Sequence, residues 1–323
     1  MAARRWSSGR AGAALAVVAL GLAAPAGAAG QDDLARLCVR LEGESGECHL
    51  AAAAVRLVHP RLGVALWGGS PVPGTASTLG MRLGSVPRIS LSTRLVLVPM
   101  ELPPLPDRAA GSSRSLVPAL STQGTVGILP GLSPMPTVGG VLSLDAIGRI
   151  GYAGLPGGKG FESGGVWGWS LGLRVGGLRE SFTLPGVSLT LAYGRSGGVA
   201  YGDPSGATTD GHVRGGISDL SATLAASKRI AAVGLTAGVA VDRYGSDVDL
   251  AYRSFPLGPR IEEAADATTD RWSGFVNASW TLLILHASAE LGWQEAPAPP
   301  GLPGDVAVDP VGWWASVALR LSI

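Results

Sequence analysis

Apolar and polar residues alternate with a period of two over most of the chain from residue 88 to the C-terminus. In the segment VWGWSLGLRV, for example, Trp167, Trp169 and Leu171 alternate with Gly168 and Ser170. Because successive side chains of a β-strand point to opposite faces, this pattern predicts strands that each have one apolar face. The candidate strands are 88–99, 121–129, 141–152, 165–176, 186–195, 212–226, 230–243, 246–253, 271–282, 282–295 and 312–323.

The second face of these strands indicates where the apolar face points. It consists mainly of Gly, Ser, Ala and Thr, and the whole chain has only two lysines, Lys159 and Lys228. The water-facing side of a soluble sandwich would carry many more charged residues. The segments also exceed the ~5–6 residues of an average soluble strand and suit a tilted strand that crosses ~25 Å of hydrocarbon. We therefore predict an all-β fold, a closed antiparallel transmembrane β-barrel over residues 88–323.

The candidate segments also predict the size and orientation of this barrel. They favour about twelve strands, within a range of about ten to fourteen, because single-chain bacterial barrels have an even number. Short turns, such as one near Ser227–Arg229, are expected to face the periplasm, and the longer connections 153–164, 196–211, 254–269 and 296–310 the outside. Five tryptophans near strand ends are expected to form the aromatic girdle at the membrane surface: Trp167, Trp169, Trp272, Trp293 and Trp313.

The N-terminal region differs from the barrel. Residues 1–28 are typical of a secretory signal peptide, with arginines before a short apolar run and Ala26-Gly27-Ala28 at the cleavage site. In the segment 29–87, the pattern predicts helix over 31–59 and irregular or short extended structure over 60–87. This segment has too little apolar surface for an independent domain. It is interpreted as a plug inside the barrel or as a periplasmic extension.

Two cysteines, Cys38 and Cys48, lie in this N-terminal segment. In an oxidising compartment they predict one disulfide that closes a short loop. Metal binding with the nearby His49 and His59 is the alternative, and it is disfavoured because a second cysteine pair is missing.

Composition narrows the function classes. Only 15% of the residues are charged, against about 25% in a typical soluble domain, and the 49 glycines argue against a mainly helical fold. The 25 basic and 24 acidic residues nearly cancel and form no basic run, which disfavours binding of nucleic acid through phosphate neutralisation. Lys159 is followed by Gly160, so no phosphate loop is present. No cofactor or metal is expected.

Ionisable side chains recur on the small-residue face of the strands. An arginine facing lipid at mid-depth costs about 2–4 kcal/mol, so these residues are expected to face the lumen. They support two interpretations: a salt-bridged lumen that is propped open or filled, and a selectivity zone in a pore. The lumen-facing candidates are Arg88, Arg94, Asp145, Arg149, Arg174, Asp242, Arg271, His286, Glu290 and Arg320.

Two further sets of residues have the residue types for catalysis or for cation binding. His286, Ser288 and Glu290 have the residue types of a hydrolytic triad, but same-face neighbours on a strand are about 6.5–7 Å apart, too far for the contact between nucleophile and base. An enzyme is therefore not expected. The acidic residues Asp247, Asp249, Asp266 and Asp270 suit a solvated external loop better than a cation site.

The C-terminal segment GWWASVALRLSI resembles the closing strand of Gram-negative outer-membrane β-barrel proteins. Val317, Leu319 and Leu321 occupy its alternate apolar positions, and Ile323 stands where such strands usually end in Phe or Trp. The resemblance implies an outer-membrane location, contact with the lipid bilayer and recognition by the outer-membrane assembly machinery.

Residues 60–84 are similar to the N-terminal region of FadL-type transporters. The stretch GGSPVPGTASTLG carries this similarity, with Gly69-Ser70-Pro71 in the place of the family's Asn-Pro-Ala element. The resemblance implies a hatch inside the barrel and the passage of hydrophobic compounds. The sequence thus supports a channel or transporter for small or hydrophobic molecules, with a structural or surface-interaction barrel that has a filled lumen as the alternative.

Overall fold

Within the described residues, ten antiparallel strands form a closed barrel around one helix. The computed structural model describes residues 45–80, 87–102, 113–135, 138–156, 161–162, 164–202, 212–253, 260–295 and 311–323, with backbone alone for 45–54, 113, 252–253 and 260–261. Each strand pairs with the next along the chain, and β1 pairs with β10 to close the barrel. The strands are β1 (Ile89–Leu102), β2 (Ser113–Leu129), β3 (Ser143–Gly154), β4 (Gly165–Leu178), β5 (Gly186–Gly202), β6 (His212–Ile230), β7 (Val233–Arg253), β8 (Arg260–Leu282), β9 (Leu285–Glu295) and β10 (Val311–Ser322).

In the part of the chain that the structure describes, the barrel has ten strands, which is the lower limit of the predicted range of ten to fourteen and two fewer than the favoured twelve. The candidates 230–243 and 246–253 fall mainly in the single strand β7, which pairs with β8 along its whole length and with β6 as far as Ala251. The predicted gap at 244–245 is absent, since Tyr244 and Ser246 are both buried and continue the alternation.

Several predicted boundaries also change. The strand predicted over 121–129 begins at Ser113. Parts of the predicted loops 196–211 and 254–269 are strand, because β5 continues to Gly202 and β8 begins at Arg260. The turn expected near 227–229 lies at 231–232.

The apolar face of the strands points outward. Leu171 and Leu319 are 63% and 57% exposed, and burial alternates residue by residue along β1. A soluble sandwich would cover this face, since apolar surface left in water costs about 25 cal/mol per Å². The exposed leucines and valines therefore fit a hydrocarbon environment around the barrel.

The two ends of the barrel differ. β1 begins where β10 ends, and the Ile89 amide donates to the Ile323 carbonyl at 3.1 Å. This lower end also contains the connections 130–142 and 179–185 and the two-residue turns at 231–232 and 283–284. At the upper end, β1, β3, β5, β7 and β9 end.

The helix α1 (Ser45–Trp67) runs into the barrel. From Val55 onward it is largely buried, and it contacts β1–β4 and β6–β8. Arg61 lies beside Gly312 at the upper end, and Gly80 lies over Gly127 at the lower end, so the chain descends through the lumen. Residues 60–67 are therefore helical and not irregular as predicted. No helix in the described ranges is long and apolar enough to cross a membrane.

Candidate functional site

The lumen is filled by the chain's own residues 55–80, which we call the plug. Its upper half is apolar, because Val58, Leu62 and Leu66 of α1 pack in one cluster with inward side chains of the wall such as Met100 and Ile217. A helix enclosed by protein needs no polar face, and α1 is apolar on most sides. The lower half of the lumen is polar and holds the non-helical residues 68–80.

Glycines of the wall make room for the end of the helix. A Cβ atom added at Gly194 would lie 2.8 Å from the Trp67 ring, and one at Gly168 would lie 3.1 Å from it. A Cβ at Gly151 would lie 3.4 Å from Leu66. Glycine at these inward positions lets α1 approach the sheet, which gives part of the chain's high glycine content a packing role.

Two arginines of the wall bind the C-terminal end of α1. Arg149 donates to the Trp67 carbonyl at 2.6 Å, and Arg94 donates to the Gly68 carbonyl. The last carbonyls of a helix lack intrahelical partners and carry the negative end of its dipole, so cations stabilise them. Gly69, with φ +83°, then turns the chain out of the helix.

A third arginine bonds to the helix where Pro60 interrupts its hydrogen bonding. Proline has no N–H, so the carbonyl four residues earlier, that of Arg56, loses its usual donor. Arg271 of β8 donates to that carbonyl at 3.2 Å. The wall thus satisfies the group that the proline leaves open, and the helix continues to Trp67.

Side chains of the wall also bind the backbone of residues 68–80. Arg320 donates to the Pro73 carbonyl at 2.7 Å and Gln123 to the Pro71 carbonyl at 2.6 Å. In the opposite sense, the Ser70 amide donates to Glu290 at 3.0 Å and the Leu79 amide to Asp145 at 3.0 Å. Buried backbone groups need such partners when the segment forms no helix or strand. The plug is therefore held by its main chain.

Two of these contacts belong to buried ion pairs. Arg94 and Glu290 are 2.7 Å apart, and Arg174 and Asp145 are 2.6 Å apart. Each pair bonds to the plug as well as to its partner, because Arg94 binds Gly68 and Arg174 contacts the Thr75 carbonyl at 3.4 Å. A buried ion pair requires additional hydrogen bonds to offset its loss of hydration, and the plug supplies them.

Nine of the ten lumen-facing candidates are buried or half-buried, and Arg88 is exposed at the lower mouth. Asp242 accepts a bond from Ser273 at 3.1 Å rather than from an arginine. Three further residues, Asp219, Gln123 and Tyr244, are also buried and inward but were not among the predicted candidates. The alternation along β2, β6 and β7 was the signal that could have found them.

The residues considered for chemistry do not converge. His286 shares a hydrogen bond with Thr281 at 2.9 Å, whereas Glu290 is engaged by Arg94 and Ser70. Asp270 is paired with Arg243 at 2.8 Å on the outer surface. Within the described ranges, no group of three His, Cys, Asp or Glu side chains is placed to hold a metal.

The five girdle tryptophans all point outward; four lie toward the upper end of their strands, and Trp272 lies near the middle of the long strand β8. Trp167 packs against Tyr152 and Trp169 against Tyr193, with ring centroids 5.0 and 6.1 Å apart. Trp280 is the outward tryptophan near the lower end. The predicted signal peptide (1–28) and Cys38 lie outside the described residues, as does the Cys48 side chain.

Comparison with known proteins gives similarity in structure only. No protein-family model and no curated protein sequence matches the chain. Similar solved structures include the outer membrane protease OmpT from Escherichia coli, with 13% identity over 77% of this chain and 100% of that chain and a TM-score of 0.39. The translocator domain of the autotransporter NalP from Neisseria meningitidis has 13% identity over 74% and 88%, with a TM-score of 0.41. The Pseudomonas putida toluene transporter TodX has 10% identity over 80% and 96%, with a TM-score of 0.33.

The class of this protein follows from its own barrel. A closed antiparallel barrel with an outward apolar face, a belt of outward tryptophans and a polar interior has the architecture of bacterial outer-membrane proteins. The chain is an outer-membrane β-barrel protein.

Proposed function

We propose that this protein spans the outer membrane as a sealed barrel that acts as a structural or surface-interaction module, with no open pore in its resting form. The observation that carries the proposal is the occupation of the lumen by the plug, residues 55–80. Wall side chains bind the plug backbone at both ends of the lumen, from Arg56 near the top to Leu79 near the bottom.

The space beside the plug near the end of α1, between the wider cavities at the two mouths, supports this proposal. A cavity between the Trp67 and Arg149 side chains and β6 measures about 30 Å³, which is the volume of about one water molecule. A hydrated solute could not pass beside the plug through such a space. The polar interior residues are therefore proposed to hold the plug and not to select a solute.

The upper part of the barrel supports a role at the surface. β5, β6, β7 and β8 are the longest strands together with β2. On β7 and β8, the outward residues above Trp272 change from apolar to charged, as with Arg243, Asp247 and Asp270. Charged residues suit water rather than lipid, so the part of β7 and β8 above Trp272 is proposed to project from the membrane as the interaction surface.

A transporter with a movable plug is the second candidate. The observation that favours it is the polar contact of residues 68–80, because water can replace hydrogen bonds more readily than it can replace apolar packing. In this case the FadL-like hatch would open by release of the lower plug.

Conductance in planar bilayers tests the proposal. We expect the wild-type protein to show no steady conductance, and the double variant Arg94→Met/Arg149→Met to show intermittent openings, because both donors to the end of α1 are lost. Arg243→Met, on the outer surface, is the matched control and should remain silent. Steady conductance of the wild-type protein would contradict a sealed barrel, and opening under voltage or with a hydrophobic solute would favour the transporter.

A further inference from the structure

A cavity of about 210 Å³ opens at the lower mouth of the barrel, below the plug. Its lining combines plug residues such as Thr75 with inward residues of the wall such as Ser279. At ~30 Å³ for each water molecule, it has room for about seven waters or for a small hydrated ion.

Positive charge dominates this cavity. Five cationic side chains line it, those of Arg88, Arg179, Lys228, Arg229 and Arg320, and Glu180 is the one carboxylate in its lining. Glu180 is also engaged already, since it accepts from the Arg229 amide and contacts the Ser227 hydroxyl at 3.5 Å. Among the described residues, no carboxylate pairs with the guanidinium of Arg88, Arg229 or Arg320 within 4.0 Å.

Buried donors in the same cavity lack partners. Arg320 is only 5% exposed. Its Nη1 donates to the Pro73 carbonyl, whereas its Nε has no acceptor. The Arg179 Nε and the Ser322 hydroxyl are likewise buried without a partner. Buried polar groups in native proteins nearly always have partners, and a buried guanidinium without a counter-charge is costly.

We propose that this lower-mouth cavity binds a phosphate group. Four guanidinium groups offer more donors than the two oxygens of a carboxylate can accept, whereas the several oxygens of a phosphate suit them, and arginine pairs with phosphate through parallel hydrogen bonds. The phosphate could belong to a free phosphate compound or to the headgroup of a lipid in the adjacent leaflet. This inference does not depend on whether the lumen conducts.

Calorimetric titration of the purified full-length protein with sodium phosphate, at constant ionic strength set with chloride, tests the proposal. We expect saturable binding that weakens at least fivefold in Arg229→Gln and in Arg88→Gln, since neither guanidinium holds the plug. Arg243→Gln, on the outer surface, is the control and should bind as the wild type does. Absence of saturable binding, or equal binding by Arg229→Gln, would overturn the proposal.

Competition identifies the source of the phosphate. The protein is first loaded with labelled inorganic phosphate. Dihexanoyl phosphatidic acid and unlabelled inorganic phosphate are then added in separate titrations. Stronger competition by the lipid supports a headgroup, and stronger competition by inorganic phosphate supports a free compound. If the lipid and unlabelled phosphate both fail to displace labelled phosphate, the cavity is not a phosphate site.

Discussion

Glycine at two positions of the wall sets how closely Trp67 can approach it. Gly194 and Gly168 lie under the indole ring, and a Cβ at Gly194 would come within 2.8 Å of it. We expect Gly194→Ala to lower the free energy of unfolding by about 1–3 kcal/mol, because the ring must shift in a closely packed lumen. Urea unfolding in lipid vesicles measures the change.

The matched control is Gly124→Ala, since a Cβ at Gly124 would meet nothing within 4 Å. In a Trp67→Ala background, the cost of Gly194→Ala should disappear, because the clashing ring is gone. A cost of equal size at both glycines, or one that persists without Trp67, would show that the ring is not responsible.

Asp145 is the residue whose loss should affect the plug most. Its carboxylate accepts from Arg174 at 2.6 Å and from the Leu79 amide at 3.0 Å. Asp145→Asn leaves a buried arginine without its counter-charge, and breaking such a pair costs about 3–5 kcal/mol of unfolding free energy. The same measurement applies, and Asp145→Asn/Arg174→Met should recover part of the loss.

Asp270→Asn serves as the comparison, because Asp270 pairs with Arg243 where both side chains are more than half exposed. An exposed pair contributes less than about 1 kcal/mol. Similar losses for Asp145→Asn and Asp270→Asn would mean that the inner pair does not hold the plug.

At the scale of the element, α1 contains a histidine that couples the helix to pH. His59 is buried and shares a 2.6 Å hydrogen bond with Ser246 of β7. Burial lowers the pKa of His59 from 6.5 to about 4. Between pH 6.5 and 4, His59 therefore binds a proton when the helix is out of its packed position but stays neutral when the helix is packed. The packed state is thus most stable above pH 6.5 and loses stability as the pH falls toward 4.

Hydrogen exchange of residues 55–67 between pH 7.5 and 4.5 measures this effect. After correction for the intrinsic exchange rate, the free energy of opening of residues 55–67 should decrease below pH 6.5 in the wild-type protein. The difference between the two pKa values limits this decrease to about 3 kcal/mol. His59→Gln cannot take up the proton and should show a flatter profile. Parallel profiles for the two proteins would assign the pH response to other groups.

The elements could be predicted from the sequence where local pattern determines them. The outward leucines of β1 and the outward tryptophans of β4 follow directly from the alternation, because a strand side chain has only two directions. The helical course of residues 60–67 could not be predicted in this way. It depends on Arg271, more than two hundred positions away, which supplies the donor that Pro60 lacks.

At the scale of the whole molecule, the inward direction of the polar residues was predictable and their role was not. Arg94 and Glu290 lie on strands far apart in the sequence, and each bonds to the plug as well as to the other. Local alternation contains no information on what occupies the lumen. The favoured count of twelve strands differs from the observed ten for a related reason, because the continuous pairing of β7 with β6 and β8 is a long-range property.

The direction of the two barrel faces can be tested on a pair of neighbouring residues. Trp313 points outward and is 61% exposed, whereas Trp314 points inward, is 1% exposed and lies 5.1 Å from the Arg94 guanidinium. In vesicles that contain brominated phosphatidylcholine, lipid-facing tryptophans are quenched on contact with the acyl chains. We expect Trp313→Phe to remove part of the quenchable fluorescence, while Trp314→Phe removes only fluorescence that the lipid does not quench. If Trp314→Phe removes the quenchable part, the inside and outside of the barrel are reversed, and the plug, the girdle and the polar lumen would all need a different explanation.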